Sequence, residues 1–309
     1  HIISFPLSQT GIWLDQRMSK AMGISKILLE EITRFVLVLF IASIIVFSLV
    51  YASPKETVLN KKDSWMAQYS SWMQRIILHQ DMGNTIHHEK VITLVGSKTK
   101  NSFFLITLAI LVSVSLSLLW VWLFYRLEPY PIAHGMVKII VYGLSVVPVF
   151  MVGYLLILVS SEKFHIKLTM DMAEGIRYYL IPGLLLGVGD GFLAEMIRHI
   201  QTEIKGITSE NYILMAKAKG APLWQHIRYD LIIQTLRVIS SRATLLISGT
   251  VIIEIIFNLD GIGNLAFNAA EARDVNLLLG ILILSVFIVG FVNLANRMVA
   301  IWVDPRLRG

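Results

Sequence analysis

The length of the uninterrupted apolar runs limits what this chain can fold into more than any other feature. Segments 34–52 (RFVLVLFIASIIVFSLVYA) and 102–125 (SFFLITLAILVSVSLSLLWVWLFY) each match the ~20 residues that carry a helix across a bilayer. Inside hydrocarbon every backbone N–H and C=O must be paired within the segment, so single runs of this length are helices. Further runs fall at 138–160, 176–197, 238–257 and 276–302, which predicts an all-α polytopic membrane protein with six transmembrane helices. The fourth is the weakest, because GLLLGVGDGF is glycine-rich and contains Asp190. Composition agrees: 55% of the 309 residues are hydrophobic and 16% charged, against about a quarter charged in soluble domains.

An even number of spans puts both termini on one side. Arg198, Lys205, Lys217, Lys219, Arg228 and Arg237 crowd the segment 198–237, and Arg306 and Arg308 close the chain, whereas 258–275 holds only Arg273. Short basic segments stay in the cytoplasm, while long loops translocate largely regardless of charge. Both termini and 198–237 are therefore expected to be cytoplasmic, with 53–101 forming an outer loop. Trp120, Trp122, Tyr125, Tyr130 and Trp302 suit the membrane interface. Residues 34–309 read as the transmembrane domain and 1–33 as an N-terminal extension with an interfacial helix, residues 1–21 not necessarily native. No cleavable signal peptide is read. The net charge of +6 follows from the cytoplasmic bias, and no basic–aromatic module points to nucleic acid. The absence of cysteine excludes disulfides, thiolate nucleophiles and iron–sulfur clusters.

No phosphate-binding G-x-x-x-x-G-K-[ST] occurs, and GVGDG does not open a helix after a strand, so no ATP is expected on this chain. Gly183, Gly187, Gly189 and Gly191 are read as close-packing positions between helices. Intramembrane carboxylates usually face a cavity or a partner. Glu254, in VIIEIIF, therefore has two open readings: a pathway or gate residue, or a hydrogen-bond partner of the following GIG loop. Asp190, Asn258 and Asp260 complete the pathway or gate candidates. Glu195 and Arg198, three residues apart, are expected to satisfy each other. His79, Met82, His87 and His88 lie close in the outer loop, but HQDMGNTIHHEK lacks fixed helical ligand spacing, so no metal site is expected. No catalytic triad or paired carboxylates are apparent.

The segment 208–232 interrupts the apolar chain. TSENYILMAKAKG reads as a short helix capped by Thr208 or Ser209, with Tyr212, Met215, Ala216 and Lys219 on one face. Gly220 stands where a left-handed C-terminal residue is wanted, and Pro222 restarts a helix. Ala216, Ala218, Gly220 and Ala221 leave a tip that another surface can approach closely. The residues alone leave two readings open, a docking projection or an ordinary helical link.

This stretch resembles the EAA loop (E-A-A-x-x-x-G) of bacterial ABC importer permeases, with Leu214, Met215, Ala216 and Gly220 in the E, A, A and G places. NYILMAKAKG is closer still to the Y-x-x-x-A-x-A-K-G form of B-type permeases of the dipeptide/oligopeptide/nickel family. TVIIEIIFNLDGIGN, the Arg273-Asp274 pair before the last run, the terminal DPRLRG and WMAQYSSWMQRIILHQDMGNTI are similar to that family's blocks in the same order. The likeness covers roughly residues 24–309. It departs at Leu214 for glutamate, at Asp260 for proline, at Val275 for tyrosine, and at Asp230 and Leu236-Arg237-Val238, where I-x-L-P is expected.

The resemblance implies a type I ABC importer permease fold with cytoplasmic coupling helices, in the bacterial inner membrane. It implies a non-catalytic chain whose Tyr212, Met215, Ala216, Lys217, Ala218, Lys219, Gly220, Ala221 and Pro222 dock on a cytoplasmic ATPase. The implied partners are a second permease subunit of different sequence, one or two ATPase subunits holding ATP and Mg, an extracytoplasmic solute-binding protein, and membrane lipid. The implied cargo is a peptide or related small solute, with nickel or a metal chelate as the alternative. An ATP-independent secondary transporter is the competing class; it would favour inverted repeats and would not need the glycine-hinged hairpin.

Overall fold

A computed structural model of the chain describes residues 8–52, 64–165, 177–209, 215, 218–220 and 223–303. Ten helices run through them: α1 (Ser8–Tyr51), α2 (Trp65–His79), α3 (Val91–Arg126), α4 (Pro131–Val146), α5 (Val149–Phe164), α6 (Arg177–Val188), α7 (Phe192–Ser209), α8 (Leu223–Ile256), α9 (Ile262–Glu271) and α10 (Val275–Val303). The all-α expectation holds.

The apolar helices are more broken than six simple crossings. Among the described residues four helical stretches are long and apolar enough to cross a membrane: Leu29–Leu49, Val91–Arg126, Val238–Ile256 and Val275–Met298. A fifth crossing results if Tyr178–Val188 and Phe192–Ile207, bent by 56° across their break, count as one. The expected span 138–160 is two 16-residue helices, α4 and α5, separated at Val147–Pro148. Pro148 has no N–H to continue the helical ladder, and its ring drives Val147 out of the helical region; Val147 takes φ −84, ψ 124. Pro131, at the first position of α4, suits a helix start because that N–H would be unpaired anyway.

Other boundaries move too. α1 is continuous, so the expected extension and the first span form one element. The outer loop contains α2 and the first three turns of α3, which begins at Val91 rather than near 102. α7 extends to Ser209, and most of the short helix expected to follow a cap at Thr208 or Ser209 lies outside the described residues.

The main core joins α3, α6, α7 and α8, with Leu105, Ala109, Leu185, Met196, Ile253 and Phe257 among its fully covered side chains. The glycines of α6 explain how closely α3 approaches. A Cβ on Gly187 would stand 2.5 Å from the Ala109 carbonyl oxygen, and one on Gly183 would stand 2.8 Å from Leu108 Cδ2. This is the G-x-x-x-G device of membrane helix pairs, in which small residues let backbones touch. Gly189 meets Val149 instead, while Gly191 serves the turn, at φ +75.

α1 lies along α10, and α2 closes over both at one end, where Phe47, Tyr69, Trp72 and Leu279 form a second cluster. Ser43 Oγ and Tyr69 OH share a buried hydrogen bond of 2.7 Å. A third cluster, Val91, Val95, Ala269, Leu277 and Ile281, fastens the start of α3 to α9 and α10. The second and third clusters lie at the end of the bundle expected to face outward.

Candidate functional site

Glu254, Asn258 and Asp260, three of the four pathway or gate candidates, meet at that end, where α8 gives way to the loop 257–261 before α9. The loop begins as a helix terminus. Asn258 takes φ +52; its N–H donates to Ile255 O at 3.3 Å, and the Leu259 N–H donates to Glu254 O at 2.8 Å. That is a Schellman ending, with asparagine in the left-handed position that glycine usually fills.

The loop then folds back over the side chain of Glu254. This carboxyl is 1% exposed, and Gly263 N–H donates to its Oε2 at 2.7 Å. Its Oε1 has no hydrogen-bond partner among the described residues. The two glycines of GIG are needed by contact. A Cβ on Gly261 would lie 2.1 Å from Glu254 Cδ, and one on Gly263 would lie 2.5 Å from Val251 Cα. Of the two readings of Glu254, the geometry supplies the partner named in the second: the carboxyl is clasped by the loop.

Neighbouring helices hold the loop in place. Lys98 of α3 forms an ion pair with Asp260, Asn101 Nδ2 donates to Asp260 O at 2.7 Å, and Ile262 N–H donates to Ser102 Oγ at 2.9 Å. The Asp260 N–H donates to Tyr178 OH at 2.8 Å, and that hydroxyl donates to Asn258 O at 3.3 Å. Asn264 Nδ2 reaches Asn258 Oδ1 at 3.0 Å. The carbonyls of Glu254, Ile255, Asn258 and Asp260 are thereby paired, in line with the need of buried backbone for partners.

A second clasp, which the sequence reading passed over, centres on Asp274, 3% exposed. Its Oδ1 accepts from Leu277 N–H at 3.0 Å and caps α10; its Oδ2 accepts from Ile86 N–H at 2.8 Å in the outer loop. Asn276 Nδ2 adds a bond to Asn84 O at 3.0 Å. The available signal was an aspartate immediately before an apolar run, the pattern of an N-cap.

Asp190 lies elsewhere, at the break between α6 and α7, with φ +48. Its Oδ1 accepts from Val149 N–H at 3.0 Å, which caps α5. It lines a cavity of about 240 Å³ together with Arg242, Ser248 and Gly249 of α8. Glu195 does not pair with Arg198 as expected: it forms an ion pair with Arg242 of α8, and His199 Nε2 lies 3.6 Å from its Oε1. Arg198 is exposed.

Of the coupling segment, Met215, Ala218, Lys219 and Gly220 are described and all are exposed. Lys219 N–H donates to Met215 O at 3.1 Å, and Gly220 takes φ +69, the left-handed value expected of it. Tyr212, Ala216, Lys217, Ala221 and Pro222 lie outside the described residues. The 34 residues of α8 measure about 51 Å, so this tip and the clasped loop sit at opposite ends of the bundle. His79, His87 and His88 are exposed, whereas Met82 packs against the Val91 cluster. Among the described residues no three His, Cys, Asp or Glu side chains converge to hold a metal.

The family model for the binding-protein-dependent transport system inner membrane component matches residues 130–309, more than half of the chain. The chain belongs to this family. It is an ABC-type transport permease of the inner membrane, a membrane-spanning component and not the hydrolase. The permease is 22% identical over 319 aligned residues to the nickel import system permease protein NikB of Staphylococcus aureus (strain bovine RF122 / ET3-1), covering 93% of each chain. It is 22% identical to the oligopeptide transport system permease protein AppB of Bacillus subtilis (79% of this chain, 81% of the relative). It is 28% identical over 173 residues to a probable peptide ABC transporter permease of Sinorhizobium fredii (52% of this chain, 55% of the relative).

Proposed function

We propose that this permease forms half of the translocation pathway of an ATP-driven importer and is driven through its 208–232 hairpin by a cytoplasmic ATPase. The match through residues 130–309 carries this reading, because it contains the hairpin and every element after it. The exposed tip supports it. Met215 is 60% exposed, and the space around the missing Cβ of Gly220 is open to 4 Å, so a partner surface can reach the backbone.

A second permease subunit of different sequence completes the pathway, with one or two ATPase subunits that hold ATP and Mg, and an extracytoplasmic binding protein delivers the solute. Both termini and the hairpin face the cytoplasm, on the distribution of Lys and Arg. The full type I arrangement of six spans is reached when α4 and α5 together make the remaining crossing. Their exposed apolar side chains, among them Ile132, Ile139, Val146 and Tyr154, fit lipid or the second subunit.

The solute is a peptide or a related small molecule. A second reading, nickel or a metal chelate, draws on the alignment along 93% of the nickel permease. Solubilising the native complex and identifying its stoichiometric partners tests the proposal. A second permease, a nucleotide-hydrolysing subunit and a binding protein are expected, and the ligand of that binding protein decides between peptide and metal. A chain that purifies alone and moves solute in liposomes without ATP contradicts it.

A further inference from the structure

The bent span carries a charge to the middle of the membrane. Tyr178 touches the loop at one end of the bundle, and α6 runs ten residues on from it to Val188, about 15 Å further in, with Asp190 in the turn that follows. Asp190 faces Gly249, near the midpoint of the Val238–Ile256 span. The carboxylate is exposed rather than enclosed, and the α8 residues beside it form an exposed stripe, Ser241, Leu245, Ser248 and Ile252. A carboxylate at that depth does not face hydrocarbon; it faces a partner or water.

The cavity lining holds two charged residues, Asp190 and Arg242. Arg242 is committed to Glu195, which also lies beside His199, and Asp190 spends Oδ1 on the Val149 N–H while its Oδ2 turns toward Gly249. The cavity of about 240 Å³ beside them is therefore a largely apolar recess in which Asp190 is the one charge without an ion-pair partner among the described residues.

We propose that this recess is a water-filled station of the translocation pathway that receives a cationic group of the passing solute. The inference rests on the importer reading above. It fits an ammonium terminus or a positively charged metal complex, and excludes a bare carboxylate as the group that stops there.

The natural absence of cysteine makes the test direct. Ser248→Cys, which lines the recess, and Leu245→Cys on the same stripe are prepared in the complete importer in native membranes. Each is treated from both sides with methanethiosulfonate reagents carrying a trimethylammonium or a sulfonate group. Both thiols are expected to react, the cationic reagent being favoured about tenfold over its preference for a free thiol. Adding Asp190→Asn, which keeps an oxygen for the Val149 N–H, is expected to bring that preference within about twofold of the free thiol. Thiols that react only after denaturation, a reaction without charge preference, or a preference that survives Asp190→Asn would each overturn the station. Labelling requires no transport, so loss of ATP-dependent uptake in the unsubstituted complex would refute the importer reading and leave this result legible.

Discussion

Gly261→Ala isolates the contact on which the clasped loop depends. Gly261 has φ −121, a conformation open to any residue, so the substitution imposes no backbone strain. Its whole effect comes from a methyl group placed 2.1 Å from Glu254 Cδ and 2.2 and 2.4 Å from the carboxyl oxygens. Glu254 is 1% exposed and has nowhere to withdraw without breaking its bond to Gly263 N–H. Overpacking of this kind costs roughly 1–3 kcal/mol, and loss of a hydrogen bond to a carboxylate adds about 1.5–3 kcal/mol, so a loss of about 2.5–6 kcal/mol is expected. The assay is unfolding of the purified permease in detergent, followed through a double-mutant cycle with Glu254→Ala. Removing the carboxyl makes room for the methyl, so Gly261→Ala should cost at least about 1 kcal/mol less in the Glu254→Ala background. A Gly261→Ala variant as stable as the unsubstituted chain, or two substitutions that simply add, would refute the contact.

Gly187→Ala pushes a methyl into the Ala109 carbonyl oxygen and should separate α3 from α6 at a cost of about 1–3 kcal/mol, read by the same unfolding assay. Asp274→Ala removes both the α10 cap and the tie to Ile86, with about 2 kcal/mol or more lost, and faster protease cleavage of the 80–90 segment is expected. The Cβ of Gly220→Val meets nothing within 4 Å among the described residues, and the substitution should cost about 1–2 kcal/mol of left-handed strain. In the complete importer it should nevertheless separate ATP hydrolysis from uptake, so normal coupling in that variant would count against docking at the tip.

The sequence made the helices legible and the breaks less so. Hydropathy read 138–160 as one crossing because it is blind to the N–H that Pro148 lacks, although the proline itself was in view. At the glycine-rich break the doubt fell on the right residues, since a bend needs what Gly189, Asp190 and Gly191 provide. Glu254 and Asp260 stood out as charges in an apolar setting. Their partners did not, because Lys98 is 162 residues from Asp260 and Ser102 is 160 from Ile262, and no local period links positions so far apart. Helical spacing suggested Arg198 for Glu195, but Arg242 arrives from α8, a contact that only packing creates. The left-handed Gly220 was readable because that conformation depends on a single residue.

Cross-linking from the tip tests the central claim, that this permease is driven through its hairpin. A Lys219→Cys variant of the naturally cysteine-free chain, carrying a short photoactivatable cross-linker in native membranes, should join the ATP-hydrolysing subunit, with a yield that changes when ATP is added. A tip that cross-links only to lipid or to its own chain, while ATP-dependent uptake continues, would contradict the account.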